Sequence, residues 1–332
     1  RDCFSWSPDG ERIAYWQFDS DGVNEFRMIN NTDSLYPKII SFPYPKAGET
    51  NSAVRVGVVP ASGGQTTWFA VGGNPRDNYI PRMEWAESSR EVIIQHLNRL
   101  QNTNWLLLGD ANSGAVDTIL TERDDAWLDV VEDLEWLNGG EYFTWVSERD
   151  GWRHVYVISR AGDETRLITP GQFDVVSIAD IDEDGGWLYY IASPEDPKTR
   201  YLYRTRLDGS GEAQRITPTD MVGTHSYQIS PGAAWAIHNY SSFGVPPAFD
   251  IVRLPDHTVA RTLADNAQLR ERLSQLRTSP VEFFRVDNGE GTPLDCWMLK
   301  PPNFDPTKPY PVLFFVYGEP WGQTVANAWA GS

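Results

Sequence analysis

Cysteine is nearly absent: the 332 residues hold two, Cys3 and Cys296. Far apart and outside any Cys-x-x-Cys or Cys/His grouping, they point to neither a disulfide scaffold nor a zinc site. Positive charge is scarce too. Against 46 Asp and Glu stand 28 Lys and Arg, a formal net charge of -18, whereas a sequence-independent grip on phosphate backbones is made by clustered basic residues. Nucleic acid is therefore not an expected partner. Long apolar runs are also lacking. The longest, residues 312–317, has the length of a buried strand and falls far short of the roughly 18 residues of a membrane span. The opening Arg1-Asp2-Cys3-Phe4 has neither the charged start nor the apolar middle of a signal peptide and runs directly into a strand pattern, so the natural beginning is expected upstream.

Catalytic and metal-binding motifs are equally sparse. No serine sits in Gly-x-Ser-x-Gly, the strained turn that exposes the nucleophile of an α/β-hydrolase. The histidines, His96, His154, His225, His238 and His257, are scattered without His-Glu-x-x-His or any paired spacing for a metal, and read as structural or surface residues. Asp180-Ile181-Asp182-Glu183-Asp184-Gly185 imitates the first half of a calcium loop. Its twelfth position is Ile191, where a bidentate carboxylate is required, so it reads as an acidic turn. Asn30-Asn31-Thr32 and Asn239-Tyr240-Ser241 are formal glycosylation triplets that carry no weight alone. No metal or cofactor is expected.

What is present is a repeat. Aromatic and β-branched residues recur in short runs broken by Gly, Pro, Asp and Asn, the pattern of an all-β domain. One phrase returns: an aromatic or aliphatic anchor before a turn of small and acidic residues. It stands at Trp6-Ser7-Pro8-Asp9-Gly10, Trp85-Ala86-Glu87, Trp136-Leu137-Asn138-Gly139-Gly140, Ile181 through Gly185, and Ile229-Ser230-Pro231-Gly232. The anchors recur roughly every fifty residues after a first interval of about eighty, the period of a propeller blade of four strands. Strands are expected after each turn, at 12–18, 91–97, 142–147, 187–192 and 234–240. The long first interval holds the Pro-rich stretch 42–48, which marks an insertion in one blade.

The pattern changes after residue 260. Asp265 followed by Gln268 resembles a capping box, and Leu269, Leu273 and Leu276 share a helical face, which predicts one amphipathic helix near 265–277 packed on the propeller. Strands are expected at 281–286 and 293–299 around the turn 287–291, then a Pro-rich loop, then a strand at 312–317. That last run is apolar throughout, as in a strand buried on both faces of an α/β sheet. Tyr317 closes it, where strand ends of such sheets meet a ligand crevice, and its hydroxyl there can donate to a developing oxyanion. The charged and aromatic stretch 148–156 reads as a paired hairpin turn with a buried Trp or Tyr.

Together these phrases resemble the dipeptidyl peptidase IV-type serine peptidases of the prolyl oligopeptidase group. The resemblance rests on Trp6-Ser7-Pro8-Asp9-Gly10 with 13–18, Tyr36-Pro37-Lys38, residues 44–51, residues 148–156, and Tyr310-Pro311-Val312-Leu313 through Val316-Tyr317-Gly318. It spans the chain in the family's order. It implies part of an eight-bladed β-propeller over residues 1–262, a linker helix at 263–280, and the truncated start of an α/β-hydrolase domain at 281–332. It also implies a parent that removes Xaa-Pro or Xaa-Ala dipeptides from peptide amino termini, is exported to the periplasm or is membrane-associated or extracellular, and forms a homodimer. The family's ammonium-binding Glu pair would precede Arg1 and its Ser, Asp and His would follow Ser332, so the chain by itself should be inactive. Tyr317 matches the oxyanion-hole tyrosine, although Glu319 stands where the family commonly has a small residue. The aromatic-plus-arginine pair placed near Trp127 in some members has no counterpart around Val131-Glu132, and no residue here is assigned to substrate binding. The alternative, from another class, is a propeller used only to bind proteins.

Overall fold

The computed structural model of the chain describes residues 4–318 and 322–329; Cys3 and Glu319 lie outside them. Five four-stranded antiparallel sheets follow one another along the sequence. The first holds β1 (Phe4–Trp6), β2 (Arg12–Asp19), β5 (Ala53–Pro60) and β6 (Thr67–Trp68), with a separate hairpin of β3 (Glu25–Asn30) and β4 (Lys38–Pro43) inserted between β2 and β5. That hairpin is the insertion announced by the long first interval. The second sheet is β7 (Asn78–Trp85), β8 (Glu91–Asn98), β9 (Thr103–Asp110) and β10 (Val116–Arg123). The third is β11 (Trp136–Leu137), β12 (Tyr142–Ser147), β13 (His154–Ser159) and β14 (Thr165–Leu167). The fourth is β15 (Val175–Asp182), β16 (Trp187–Ala192), β17 (Tyr201–Arg206) and β18 (Gln214–Arg215), and the fifth β19 (Thr224–Ile229), β20 (Trp235–Ser242), β21 (Val245–Arg253) and β22 (Thr258–Ala264).

Each repeated phrase is the turn between the first and second strands of a sheet. Trp6, Trp85 and Ile229 end β1, β7 and β19, and the strands expected after the turns are β2, β8, β12, β16 and β20. The turns share a backbone requirement: Gly10, Glu87, Gly139, Gly186 and Gly232 all have φ between 50° and 73°, a left-handed conformation that glycine adopts without a Cβ penalty. In the first turn Ser7 Oγ donates to Asp9 Oδ1 at 2.6 Å, and Asp9 Oδ1 accepts the Glu11 N–H at 3.0 Å.

By compactness the chain divides into two units, residues up to 149 with 157–165, and residues 150–156 with those from 166 onward. In the first unit Val56, Val58, Phe69, Met83, Trp85, Val92, Ile94 and Leu107 form one core between the first two sheets. Strand β8 has apolar side chains buried on both faces, as sheets covered on both sides require. Indole N–H groups stitch the two sheets, Trp16 Nε1 donating to Ile80 O at 2.9 Å and Trp85 Nε1 to Ser5 O at 3.2 Å. In the second unit Tyr189, Ile191, Leu202, Ile216, Ala236 and Val252 make the corresponding core of the fourth and fifth sheets.

Beyond β22 comes α1 (Ala267–Ser274), shorter than the expected 265–277 and with no buried residue. Asn266 precedes it with φ 52°, so Asp265 cannot serve as the N-cap of a capping box; its carboxylate instead accepts the Ala267 N–H at 3.0 Å. Leu276 falls past the helix and is exposed, so no leucine stripe packs the helix down. Its start is tied by Asn266 Nδ2 donating to Pro247 O at 2.7 Å. The hairpin of β23 (Glu282–Asp287) and β24 (Pro293–Met298) follows, as expected. It rests on the β20–β21 turn through Phe243, whose ring lies 6.2 Å from Phe283 and 5.7 Å from Trp297. Lys198 Nζ reaches Asp295 at 3.5 Å, and Arg285 Nε donates to the same carboxylate at 2.9 Å.

Candidate functional site

The structure corrects the reading of residues 312–317. They form no strand, and their side chains are exposed, Leu313 at 95% and Tyr317 at 56%. A strand buried on both faces needs a paired neighbour along each edge, and among the described residues no strand pairs with this run. Tyr317 is thus carried on a segment without secondary structure that follows the Pro-rich loop, where Tyr310 Oη accepts the Asp305 N–H at 2.9 Å.

The stretch 148–156 is a turn whose charges are spent within the fold. Arg149 pairs with the buried carboxylate of Glu122, which also accepts from Ser147 Oγ at 2.7 Å, while Arg149 Nε donates to Ser147 Oγ at 3.0 Å. Across the turn Asp150 Oδ2 lies 2.9 Å from His154 Nδ1, and the Arg153 guanidinium donates to Val175 O and Val176 O. Tyr156 is buried and Trp152 is exposed. The acidic turn at Asp180 is likewise structural: Asp182 Oδ1 accepts the Gly185 N–H at 3.0 Å, and burial together with Asp182 raises the Asp180 carboxyl. Asn30 lies on the exposed inserted hairpin, where its Oδ1 accepts from Thr32, and Asn239 lies within β20.

Trp127 is exposed on the loop between β10 and β11, residues 124–135. Buried Gln95 holds that loop as a neighbouring strand would, Nε2 donating to Val131 O at 2.6 Å and Oε1 accepting the Val131 N–H at 3.1 Å. Glu132 pairs with Arg82 at 2.5 Å. Val131 and Glu132 are therefore both engaged in contacts within the fold.

Three of the five histidines, scattered in the sequence, meet in the fifth sheet. His225 and Tyr227 share one face of β19 and pair across with Tyr240 and His238 of β20, because side chains two apart on a strand face the same way. The rings of His225 and His238 stack 5.1 Å apart, and His257 stands edge-on to His238 at 4.7 Å. His225 Nε2 lies 2.9 Å from Met221 O, which can only accept, so that nitrogen carries the proton and Nδ1 accepts from His238 Nε2 at 2.8 Å. This leaves His238 Nδ1 a buried lone pair with no hydrogen-bond partner. Tyr227 Oη bridges Thr217 Oγ1 at 2.8 Å and His257 Nε2 at 2.9 Å. Burial first, then His257 and Arg215, push the His225 imidazole down to about 4; burial and the two neighbouring histidines push His238 down to about 3. Burial also lowers His257, against the opposing pull of Asp250 and Asp256. The signal in the sequence was the twice-repeated His-x-Tyr at 225–227 and 238–240, legible only once those segments pair.

A family model described as the dipeptidyl peptidase IV N-terminal region matches residues 1–247. A probable dipeptidyl peptidase 4 of Emericella nidulans is 28% identical over 345 residues, covering 98% of this chain and 44% of that protein. The dipeptidyl peptidase 4 of Trichophyton rubrum is 27% identical over 336 residues, with 98% and 43% covered. Among solved structures, the dipeptidyl peptidase 4 of Porphyromonas gingivalis matches with a TM-score of 0.88 at 32% identity, covering 99% of this chain and 46% of that one. A putative dipeptidyl aminopeptidase IV of Bacteroides ovatus, at 22% identity and a TM-score of 0.82, shares the fold. The chain spans less than half the length of these relatives.

Proposed function

Since this chain belongs to the dipeptidyl peptidase IV family, its five sheets matching the N-terminal propeller region, we propose that it is the substrate-confining part of a serine dipeptidyl peptidase. The parent removes Xaa-Pro or Xaa-Ala dipeptides from peptide amino termini. Residues 1–264, through the end of β22 and two residues past the expected 262, belong to the propeller, 265–280 link it onward, and residues from 281 open the α/β-hydrolase domain. The observation that carries this reading is the match to the P. gingivalis dipeptidyl peptidase 4 over 99% of the chain.

The serine nucleophile and its Asp and His come from sequence outside these 332 residues, as does the Glu pair that binds the substrate's ammonium group. Tyr317 is the catalytic residue this chain supplies. When the serine oxygen adds to the scissile carbonyl, negative charge moves onto the carbonyl oxygen, and the Tyr317 hydroxyl donates to it beside a backbone N–H. A donor aimed at charge that exists only in the transition state raises kcat without tightening ground-state binding.

The test is hydrolysis of Gly-Pro p-nitroanilide by the full-length protein and by the 332-residue chain alone. Turnover by the first and none by the second is expected. An inert full-length protein, with its propeller folded, sinks the enzyme reading in favour of a protein-binding propeller.

A second copy of the chain is the proposed macromolecular partner. The inserted hairpin exposes Phe26, Met28 and Ile40 on one face and the cross-strand pair Ile29 and Ile39 on the other, apolar surface of the kind that marks protein interfaces. Sedimentation should give a dimer that Ile39→Asp converts to monomer; a wild-type monomer rejects it. The parent is further proposed to be exported, which cell fractionation decides by recovery outside the cytoplasm.

A further inference from the structure

The segment carrying Tyr317 is held at both ends by the same two loops. Before it, the β23–β24 hairpin sits on Phe243 and on Lys198, as described above. After it, residues 323–329 lie as a strap without secondary structure of their own. Asn327 spends three polar groups on three different places. Its N–H donates to Lys198 O at 2.7 Å, its carbonyl accepts from Thr224 Oγ1 at 3.0 Å, and its Oδ1 accepts the Phe243 N–H at 2.9 Å. Gln323 adds Nε2 donating to Pro197 O at 2.8 Å and Oε1 accepting from Arg200, and Ser241 Oγ accepts the Trp329 N–H at 3.2 Å.

The platform beneath is hydrogen-bonded within itself. Between β16 and β17 the buried Thr199 donates to Asp196 O at 2.7 Å, and the Arg200 guanidinium caps Pro197 O, Thr199 O and Ser193 Oγ. Arg200 also bridges Thr224, joining this loop to β19 of the fifth sheet. Lys198 and Phe243 therefore each touch both the hairpin before Tyr317 and the strap after it.

We propose that Asn327, assisted by Gln323, is a positioning residue: it fastens the chain on the far side of Tyr317 to the fourth and fifth sheets and so sets where the tyrosine hydroxyl stands. The inference rests on the oxyanion role given to Tyr317. Misplacing a catalytic group by about 1 Å can cost on the order of 10²-fold in rate, and a loosened tether should cost part of that.

The experiment is a double-mutant cycle in the full-length protein with Gly-Pro p-nitroanilide. Asn327→Ala should lower kcat about tenfold with KM unchanged. Asn327→Asp keeps the acceptor for the Phe243 N–H and should stay within about twofold of wild type. In the Tyr317→Phe background Asn327→Ala should cost nothing more, since the group it positions is gone. Should Asn327→Ala fail to fold, Gln323→Ala, at an exposed edge, reads the same coupling with a smaller loss. Wild-type kcat in Asn327→Ala and Gln323→Ala, or losses that multiply with Tyr317→Phe, overturn the positioning role alone. Equal kcat in wild type and Tyr317→Phe overturns the oxyanion role and this inference with it.

Discussion

Acid should loosen the fifth sheet before it affects most carboxylates. His225, His238 and His257 are buried, in ring contact and neutral, and a histidine whose folded pKa lies below its unfolded value of about 6.5 favours folding only while it stays uncharged. The unfolded chain binds these protons first, so stability is full above pH 6.5 and is lost as pH falls toward the folded values. For His225, held down to about 4, a depression at about 1.4 kcal/mol per unit amounts to roughly 3 kcal/mol. His238 shares a hydrogen bond with it, so the two do not add independently. Carboxyls raised by burial, Glu84, Glu135 and Asp180, act with the opposite sign and soften the slope. The assay is urea denaturation of the chain at several pH values from 7 to 5. His238→Gln removes one of the three titrating groups while its amide can still donate to His225 Nδ1, and it should reduce the slope. A flat wild-type profile, or the same slope in the variant, would refute the reasoning.

Gly162 has φ +77°, and a Cβ there would stand 1.7 Å from Ile119 O, so Gly162→Ala should destabilise the first unit by about 3 kcal/mol or more, read as a drop in Tm. Gln95→Ala strands both the N–H and C=O of Val131 and should cost about 2 kcal/mol, with hydrogen exchange at the Val131 amide accelerated while β8 stays protected.

The sheets were legible because each one begins with the same local event. An anchor such as Trp85 or Ile229 ends a strand, a left-handed residue turns the chain, and an apolar strand follows; all of that is encoded within about a dozen residues. What escaped depends on partners distant in sequence. The run 312–317 has the composition of a central strand, but composition does not supply neighbours, and the segment lies exposed. The leucines of α1 promised a packed stripe, yet Asn266 takes the left-handed conformation and its amide reaches Pro247, so the helix is short and tied by a hydrogen bond. The histidine stack needs the register of β19 on β20, and the Asn327 strap needs loops more than eighty residues away in sequence. Tyr317 was singled out by its place after an apolar run and by resemblance, while the loops that hold its segment gave no signal of their own.

The most direct test of the account is kcat for Gly-Pro p-nitroanilide in the full-length protein carrying Tyr317→Phe. A loss on the order of 10²-fold with KM little changed is the predicted result. An unchanged kcat would contradict the assignment of Tyr317 to the oxyanion.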